Sequence, residues 1–177
     1  MTKKRSKKVS VSGPTKKIIG IDPGLSGALA LVTVERVLAL PMPVLGITKT
    51  KKVIDEGAFC AFLEKRRERI GHVFIEKVGA MPGQGVTSMF NFGLGWGLVR
   101  GICVGLHLPY TLVMPQTWKK VMCHGMPKGS KDVSIIIAKR LWPGVNLFRS
   151  TRCKNECDGM ADALLIAEYG RRLLAGG

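Results

Sequence analysis

Apolar residues come in short bursts along this chain, and most bursts end at a turn signal or an acid. Lys17 to Asp22 (Lys-Ile-Ile-Gly-Ile-Asp) reads as a buried strand, Pro23-Gly24 as a turn, and Gly27 to Val34 as a second strand. A third, near Arg36 to Pro41, follows at once, so the three are expected to form an antiparallel meander. Asp55 to Ile70 takes helical spacing, with Ala58, Phe59, Phe62 and Leu63 apolar and Glu64 to Arg69 a solvated charged face. His72 to Val78 is the next strand, Ser88 to His107 a long helix, and Pro109 to Met114 a strand. Lys119 to Ser130 reads as a basic, glycine-containing loop, Lys131 to Leu141 as an amphipathic helix stopped by Pro143, and Cys157 to Leu174 as the last helix. That order predicts an α/β fold: a five-stranded mixed sheet, three strands in a meander and two parallel, flanked by helices. It forms one domain, 17–177, behind a basic tail, 1–16.

The Ser88–His107 helix has an unusual ridge, because Gly93, Gly97, Gly101 and Gly105 recur at every fourth residue. Each glycine inside a helix costs about 0.8–1 kcal/mol relative to alanine, so the row needs a reason. Close backbone approach supplies one, either to the sheet or to a second copy of the same helix. A membrane span with small-xxx-small spacing is the competing idea, and Arg100 at its middle argues against it.

Charge changes the picture. The chain has 28 Lys and Arg against 12 Asp and Glu among 177 residues, a net charge of +16, which makes nucleic acid the expected partner. Seven of the basic residues lie between Met1 and Lys17 with no acid among them, a flexible tail suited to phosphate backbone rather than to base sequence. An address signal is the other reading of that tail, although it lacks the Arg-rich amphipathic pattern of a transit peptide. Five cysteines, an odd number, point to a reduced intracellular compartment rather than a disulfide framework, with a bacterial or phage-infected cytoplasm or an organelle as the setting.

Against this basic background the acids stand out. Asp22 ends the run Ile18-Ile19-Gly20-Ile21, Glu76 ends Val73-Phe74-Ile75, and Asp162 interrupts Met160 to Ile166 with Asp158 one helical turn before it. A carboxylate at the end of a core strand is expensive to desolvate unless a cation meets it. Asp158 and Asp162, four apart on a helix, share a face. Four hard oxygen donors suit Mg²⁺, with Mn²⁺ as a substitute, and a pair of such ions can hydrolyse a phosphodiester by activating water and stabilising the leaving oxygen. Each acid also has a plainer explanation: Asp22 as a turn residue, Glu76 as a surface acid, Asp158 as part of an Asn155-x-x-Asp158 capping box. Asp162 is the hardest to explain that way.

These residues resemble a known family. Gly20-Ile21-Asp22-Pro23-Gly24-Leu25-Ser26-Gly27-Ala28, then Phe74-Ile75-Glu76, then Asp158-x-x-Ala161-Asp162-Ala163-Leu164 are similar to the motifs of RuvC-type Holliday-junction resolvases, nearest the phage and chloroplast branch. There too the strand Glu precedes a glycine-containing loop and the last two acids are four apart. The resemblance spans about Lys17 to Gly170. It implies a ribonuclease H-like fold, a homodimer, divalent metal held by Asp22, Glu76, Asp158 and Asp162, and paired symmetric nicks across a four-way DNA junction in recombination and repair. No other small-molecule cofactor and no membrane are implied. It also implies that the loop Gly79 to Thr87 approaches the junction centre, and that a lysine near a helix start, here Lys131, stands beside the catalytic acids.

Other residues are candidates for guiding DNA. Gly83, Gln84 and Gly85 permit close approach of backbone, while Thr87 and Ser88 open a helix whose amides point at phosphate. Lys119, Lys120, Lys128, Lys131, Arg152 and Lys154 supply cations around the acids. Phe90 and Phe92 are read as core side chains in preference to base-stacking ones. Cys123, His124, Cys153 and Cys157 offer soft ligands, but their spacing matches no familiar zinc motif. Rival functions are a nuclease of the same fold acting on structured or precursor ribosomal RNA, an actin-like ATPase, and a non-catalytic DNA-binding module. The ATPase would need a second lobe, and the binding module leaves the buried acids unexplained.

Overall fold

The computed structural model describes residues 16–48, 51–79, 83, 85–127 and 132–176. The expected basic tail except Lys16 and the candidates Gln84, Lys128 and Lys131 lie outside them.

The predicted meander is present as β1 (Lys17–Asp22), β2 (Ala28–Val32) and β3 (Val37–Pro41), antiparallel neighbours in register Gly20↔Ala30↔Ala39. A short hairpin follows, β4 (Val44–Gly46) with β5 (Lys52–Ile54). Then come α1 (Glu56–Glu64), a 3-10 turn over Arg67–Arg69, β6 (Ile70–Glu76), α2 (Val86–Gly105) and β7 (Tyr110–Val113). Three helices complete the chain: α3 (Pro115–Met122), α4 (Val133–Leu141) and α5 (Asp158–Leu174). The sheet order is β3-β2-β1-β6-β7, with β1, β6 and β7 parallel.

Two expectations are corrected and one element is added. The helix expected over Asp55 to Ile70 stops at Glu64. Asp55 caps its start by accepting the Ala58 N–H at 2.9 Å, and Arg66 caps its end by donating to the Phe62 carbonyl at 2.9 Å, with the guanidinium 4.0 Å from the Phe62 ring. The loop expected from Lys119 begins inside a helix, because Pro115 at the first position of α3 pre-sets its φ and starts a turn there. The β4–β5 hairpin has strands of three residues each, too short for a periodic pattern.

Period-two alternation splits the core into two layers. Ile19, Ile21, Val73 and Ile75 face α1 and α2 with Phe59, Leu63, Val99 and Cys103. Ile18 and Phe74 face α5, joined by Trp118, Ile137 and the run Met160 to Ala167. Alternation therefore puts Gly20, Asp22 and Glu76 on the α5 side as well. Helix α5 comes down almost onto bare backbone: a Cβ at Gly20 would meet the Ala163 carbonyl, and one at Gly170 would meet the Phe74 ring.

Helix α2 behaves differently. Only Val99 and Cys103 are fully buried, while Val86, Phe90, Leu94 and Val104 are 82, 69, 62 and 59% exposed. A Cβ at Gly93, Gly97, Gly101 or Gly105 would meet nothing within 4 Å. Sheet packing is therefore not what the glycine ridge is for, and Phe90 is not a core residue; Phe92 is half-buried. Among the described residues no helix is long and apolar enough to cross a membrane.

Candidate active site

Strands β1 and β6 lie side by side and parallel, with Ile21 opposite Ile75, so the next residue of each strand places Asp22 beside Glu76 at the carboxyl end of the sheet. This edge is where ligands bind in open α/β sheets. The Asp22 carboxylate is wrapped by its own turn. Oδ1 accepts the Gly24 N–H at 3.2 Å, the Gly27 N–H closes the turn on the Gly24 carbonyl at 2.9 Å, and a Cβ on Gly27 would stand 2.8 Å from Asp22 Oδ1. Gly159 at the start of α5 presses on the same turn, where a Cβ would lie 2.5 Å from the Ser26 carbonyl oxygen and 3.2 Å from Asp22 Oδ2. Small residues at 27 and 159 are what let α5 bring its acids to the strand ends.

Asp158 is the first residue of α5 and is exposed; its Oδ1 accepts the Gly159 N–H at 2.9 Å. The helix is capped at Cys157, not at Asn155, so the capping-box reading of Asp158 is wrong. One turn on, Asp162 is half-buried. Its Oδ2 lies 3.7 Å from Lys119 Nζ, while Oδ1 is buried with no hydrogen-bond partner among the described residues.

Burial dominates the electrostatics. It pushes the Asp22 pKa from 3.8 up to about 6, against the pull of the Gly24 N–H and with help from the negative charges of Glu76, Asp162 and Asp158. Glu76 is also raised, first by burial and then by Asp162, with the Trp118 N–H and Lys119 opposing. Asp162 is raised by burial and by Asp158, with Ser134 and Lys119 opposing. The four acids thus share one electrostatic neighbourhood. Among the described residues, no three His, Cys, Asp or Glu side chains stand close enough to hold an ion between them. Their chemistry fits a divalent cation nonetheless. The donors are hard carboxylate oxygens, one buried oxygen of Asp162 is unsatisfied among the described residues, and a cation would offset both the burial and the mutual repulsion that raise Asp22.

Cys123, His124, Cys153 and Cys157 likewise form no ligand group among the described residues. Cys157 Sγ instead sits 3.1 Å from Arg149 Nε, and Cys153 Sγ lies 3.4 Å from Ser150 Oγ. His72 Nε2 lies 2.8 Å from Thr111 Oγ1, bridging β6 and β7.

The candidate DNA residues separate into groups. Lys119 belongs with the acids, lying 5.0 Å over the Trp118 ring as well as beside Asp162. Lys120 is exposed on α3, and Arg152 and Lys154 are exposed on the loop before α5. Gly83, at φ 83°, and Gly85 are exposed ahead of α2, and Thr87 and Ser88 are exposed in its first turn.

Three residues of this site escaped sequence reading. Arg149 donates to the Ser26 carbonyl through Nη2 and reaches Cys157 through Nε, clipping the Asp22 turn to the start of α5. Trp118 donates its indole N–H to Glu76 Oε1 at 3.0 Å, and Trp96 donates to the Glu76 carbonyl at 3.2 Å. Pro115 signalled the helix that carries Trp118. Nothing local to Arg149, 123 residues from Ser26 in sequence, signals its contact.

No known sequence family and no curated protein matches this chain by sequence. Solved structures do match. Thermus thermophilus RuvC in complex with a Holliday junction substrate superposes with TM-score 0.62 at 18% identity, covering 92% of this chain and 96% of that one. A second Thermus thermophilus RuvC structure gives 0.50 at 15% identity, over 89% and 96%. The yeast mitochondrial Holliday junction resolvase gives 0.57 at 16% identity, over 94% and 82%. With its strand order, its mixed pairing and α5 laid across the meander, the chain has the ribonuclease H-like fold of the RuvC-type resolvases.

Proposed function

We propose that this chain is a divalent-metal-dependent endonuclease that resolves four-way DNA junctions as a homodimer. The observation that carries the reading is the meeting of Asp22 and Glu76, at the ends of adjacent parallel strands, with Asp158 and Asp162 on the helix pressed against them. A binding module has no use for buried acids that raise one another's pKa values. Asp22, Glu76, Asp158 and Asp162 would hold Mg²⁺ or Mn²⁺, which supplies an activated water and charge stabilisation at the departing 3′ oxygen. Lys119 neutralises part of the acidic cluster and limits the repulsion within it. Lys120, Arg152 and Lys154 hold phosphates on either side, and Gly83, Gly85, Thr87 and Ser88 let backbone approach the strand. Gln84, Lys128 and Lys131 stay candidates for the same work.

The exposed glycine and apolar face of α2 is the proposed contact with the second copy. Val86, Phe90, Leu94 and Val104 fall on the same side of the helix as the four open glycines. A two-fold dimer offers two equivalent sites to the two equivalent strands of a junction. Leu94→Glu is expected to yield monomers by sedimentation and to abolish paired cutting; a native chain that stays monomeric at micromolar concentration overturns this contact.

The direct test uses an immobile synthetic four-way junction, with linear duplex and a structured RNA as controls, in Mg²⁺ and in EDTA. Symmetric paired nicks confined to the junction and lost in EDTA support the reading. Cutting of the RNA alone replaces DNA as the substrate, and tight binding without cleavage in any metal removes the enzyme.

A pH effect follows from Asp22. Its carboxyl is protonated below about 6 in the free protein, so it competes poorly for a cation there. At limiting Mg²⁺, cleavage is expected to fall off below about pH 6, and saturating Mg²⁺ is expected to move that fall to lower pH. A fall-off fixed near pH 4 at every Mg²⁺ concentration removes Asp22 from the titration.

A further inference from the structure

We infer that Trp118 is a positioning residue for the metal site, fixing the Glu76 carboxylate through its indole N–H. This rests on the reading of the acids as metal ligands, and it assigns their support to a side chain outside that set.

Trp118 is fully buried on α3, packed in the layer between the sheet and α5. A buried indole needs a partner for its one donor. It could have been given a backbone carbonyl; it is given Glu76 Oε1 at 3.0 Å. The choice has a cost and a consequence. Glu76 lies at a strand end among other acids, and an acceptor-only carboxylate there is free to rotate unless one oxygen is engaged. Occupying Oε1 with a rigid, buried donor holds the carboxyl plane and leaves Oε2 free of that bond.

The strand end beneath is held separately. Trp96, from α2 on the opposite layer, donates to the Glu76 backbone carbonyl at 3.2 Å, so the two indoles grip side chain and main chain of one residue. Trp118 is also joined to the acid of α5 through its neighbour, since Lys119 packs over the Trp118 ring and faces Asp162. One turn of α3 therefore addresses an acid from β6 and an acid from α5 at once. Groups that hydrogen-bond a metal ligand in this way typically change metal affinity or activity by about 10–100-fold when removed.

The test measures Mn²⁺ binding by the full chain alone, from the free Mn²⁺ electron paramagnetic resonance signal, with junction affinity in EDTA and cleavage rate measured in parallel. Two variants remove the N–H. Trp118→Phe keeps an aromatic ring, and replacement of Trp118 by 3-benzothienylalanine keeps the full shape with sulfur where the N–H stands. Trp142→Phe, at an indole away from the acids, is the control. The expected result is Mn²⁺ affinity weakened by about 10–100-fold in both Trp118 variants, with junction affinity in EDTA unchanged and the control like the native chain. Should Trp118→Phe fail to fold, the isosteric replacement decides alone. Native Mn²⁺ affinity in that isostere overturns the inference and leaves Trp118 a core residue, as does a native chain that binds no Mn²⁺. If affinity falls as expected but the native chain cuts no junction, the inference stands and the proposed substrate falls.

Discussion

Asp22→Asn is expected to give a protein that binds four-way junctions, does not cut them, and is more stable than the native chain when metal is absent. Loss of a ligand that helps place the ions removes several kcal/mol of transition-state stabilisation, roughly a thousandfold or more in rate. Binding is expected to persist because the cations proposed to hold phosphate are elsewhere, on the exposed Lys120, Arg152 and Lys154. The gain in stability comes from the raised pKa. An Asp at 3.8 in the unfolded chain and about 6 in the folded one is penalised for ionising, by at most roughly 3 kcal/mol at neutral pH. The penalty is complete above about pH 6 and disappears as pH falls toward 4. Asn carries no charge and still accepts the Gly24 N–H. In urea titrations with EDTA, the variant should exceed the native chain at pH 7.5 and converge with it near pH 4. Mg²⁺ should reverse the order at pH 7.5, because the native chain alone gains from the ion. A variant less stable than native in EDTA at pH 7.5 refutes the electrostatic account of this site.

Gly20→Ala is expected to produce the largest loss of stability from one methyl group. The new Cβ would run into the Ala163 carbonyl and lie 2.5 Å from the Ala167 nitrogen, both backbone atoms of α5. No side chain can rotate out of the way, so the helix must lift from β1 or β1 must bow. Overpacking of a tight core costs about 1–3 kcal/mol and more where backbone must move. The upper end of that range corresponds to a fall of about 6–12 °C in Tm for a chain of this size. Cleavage should suffer beyond the loss of folded protein, because lifting α5 draws Asp158 and Asp162 away from Asp22 and Glu76. A melting temperature within 2 °C of native, on the scale of about 2–4 °C per kcal/mol, is incompatible with the close seat of α5 on β1.

What the sequence revealed and what it hid divide along physical lines. β1 and β6 are legible because each is an apolar run that ends at an acid, and α5 because Asp162 interrupts the apolar stretch Met160 to Ile166. The meander was legible from its turns. The hairpin of β4 and β5 was hidden because a three-residue strand has no period to detect. The second half of helix α3 reads as loop because its lysines outweigh the Pro115 signal, which hides the contact of Trp118 to Glu76. Phe90 was assigned to the core on hydrophobicity alone, whereas the apolar side of α2 faces outward. Lys119 was grouped with phosphate-binding cations because spacing along the chain cannot tell which lysine meets Asp162. Long-range partners of this kind, Arg149 with Ser26 above all, are set by tertiary packing and leave no local trace.

The strained charges at the strand ends bear on how such a protein changes over generations. Most substitutions weaken a fold, and a lineage near its stability threshold keeps those that strengthen it unless function forbids. Here, by the argument for Asp22, replacing that acid is expected to strengthen the fold when no metal is bound. On the proposed function, only the need to cut keeps Asp22 in place. Were that need to lapse, Asp22 would be the first of the site to drift, and descendants would keep the shape while losing the blade.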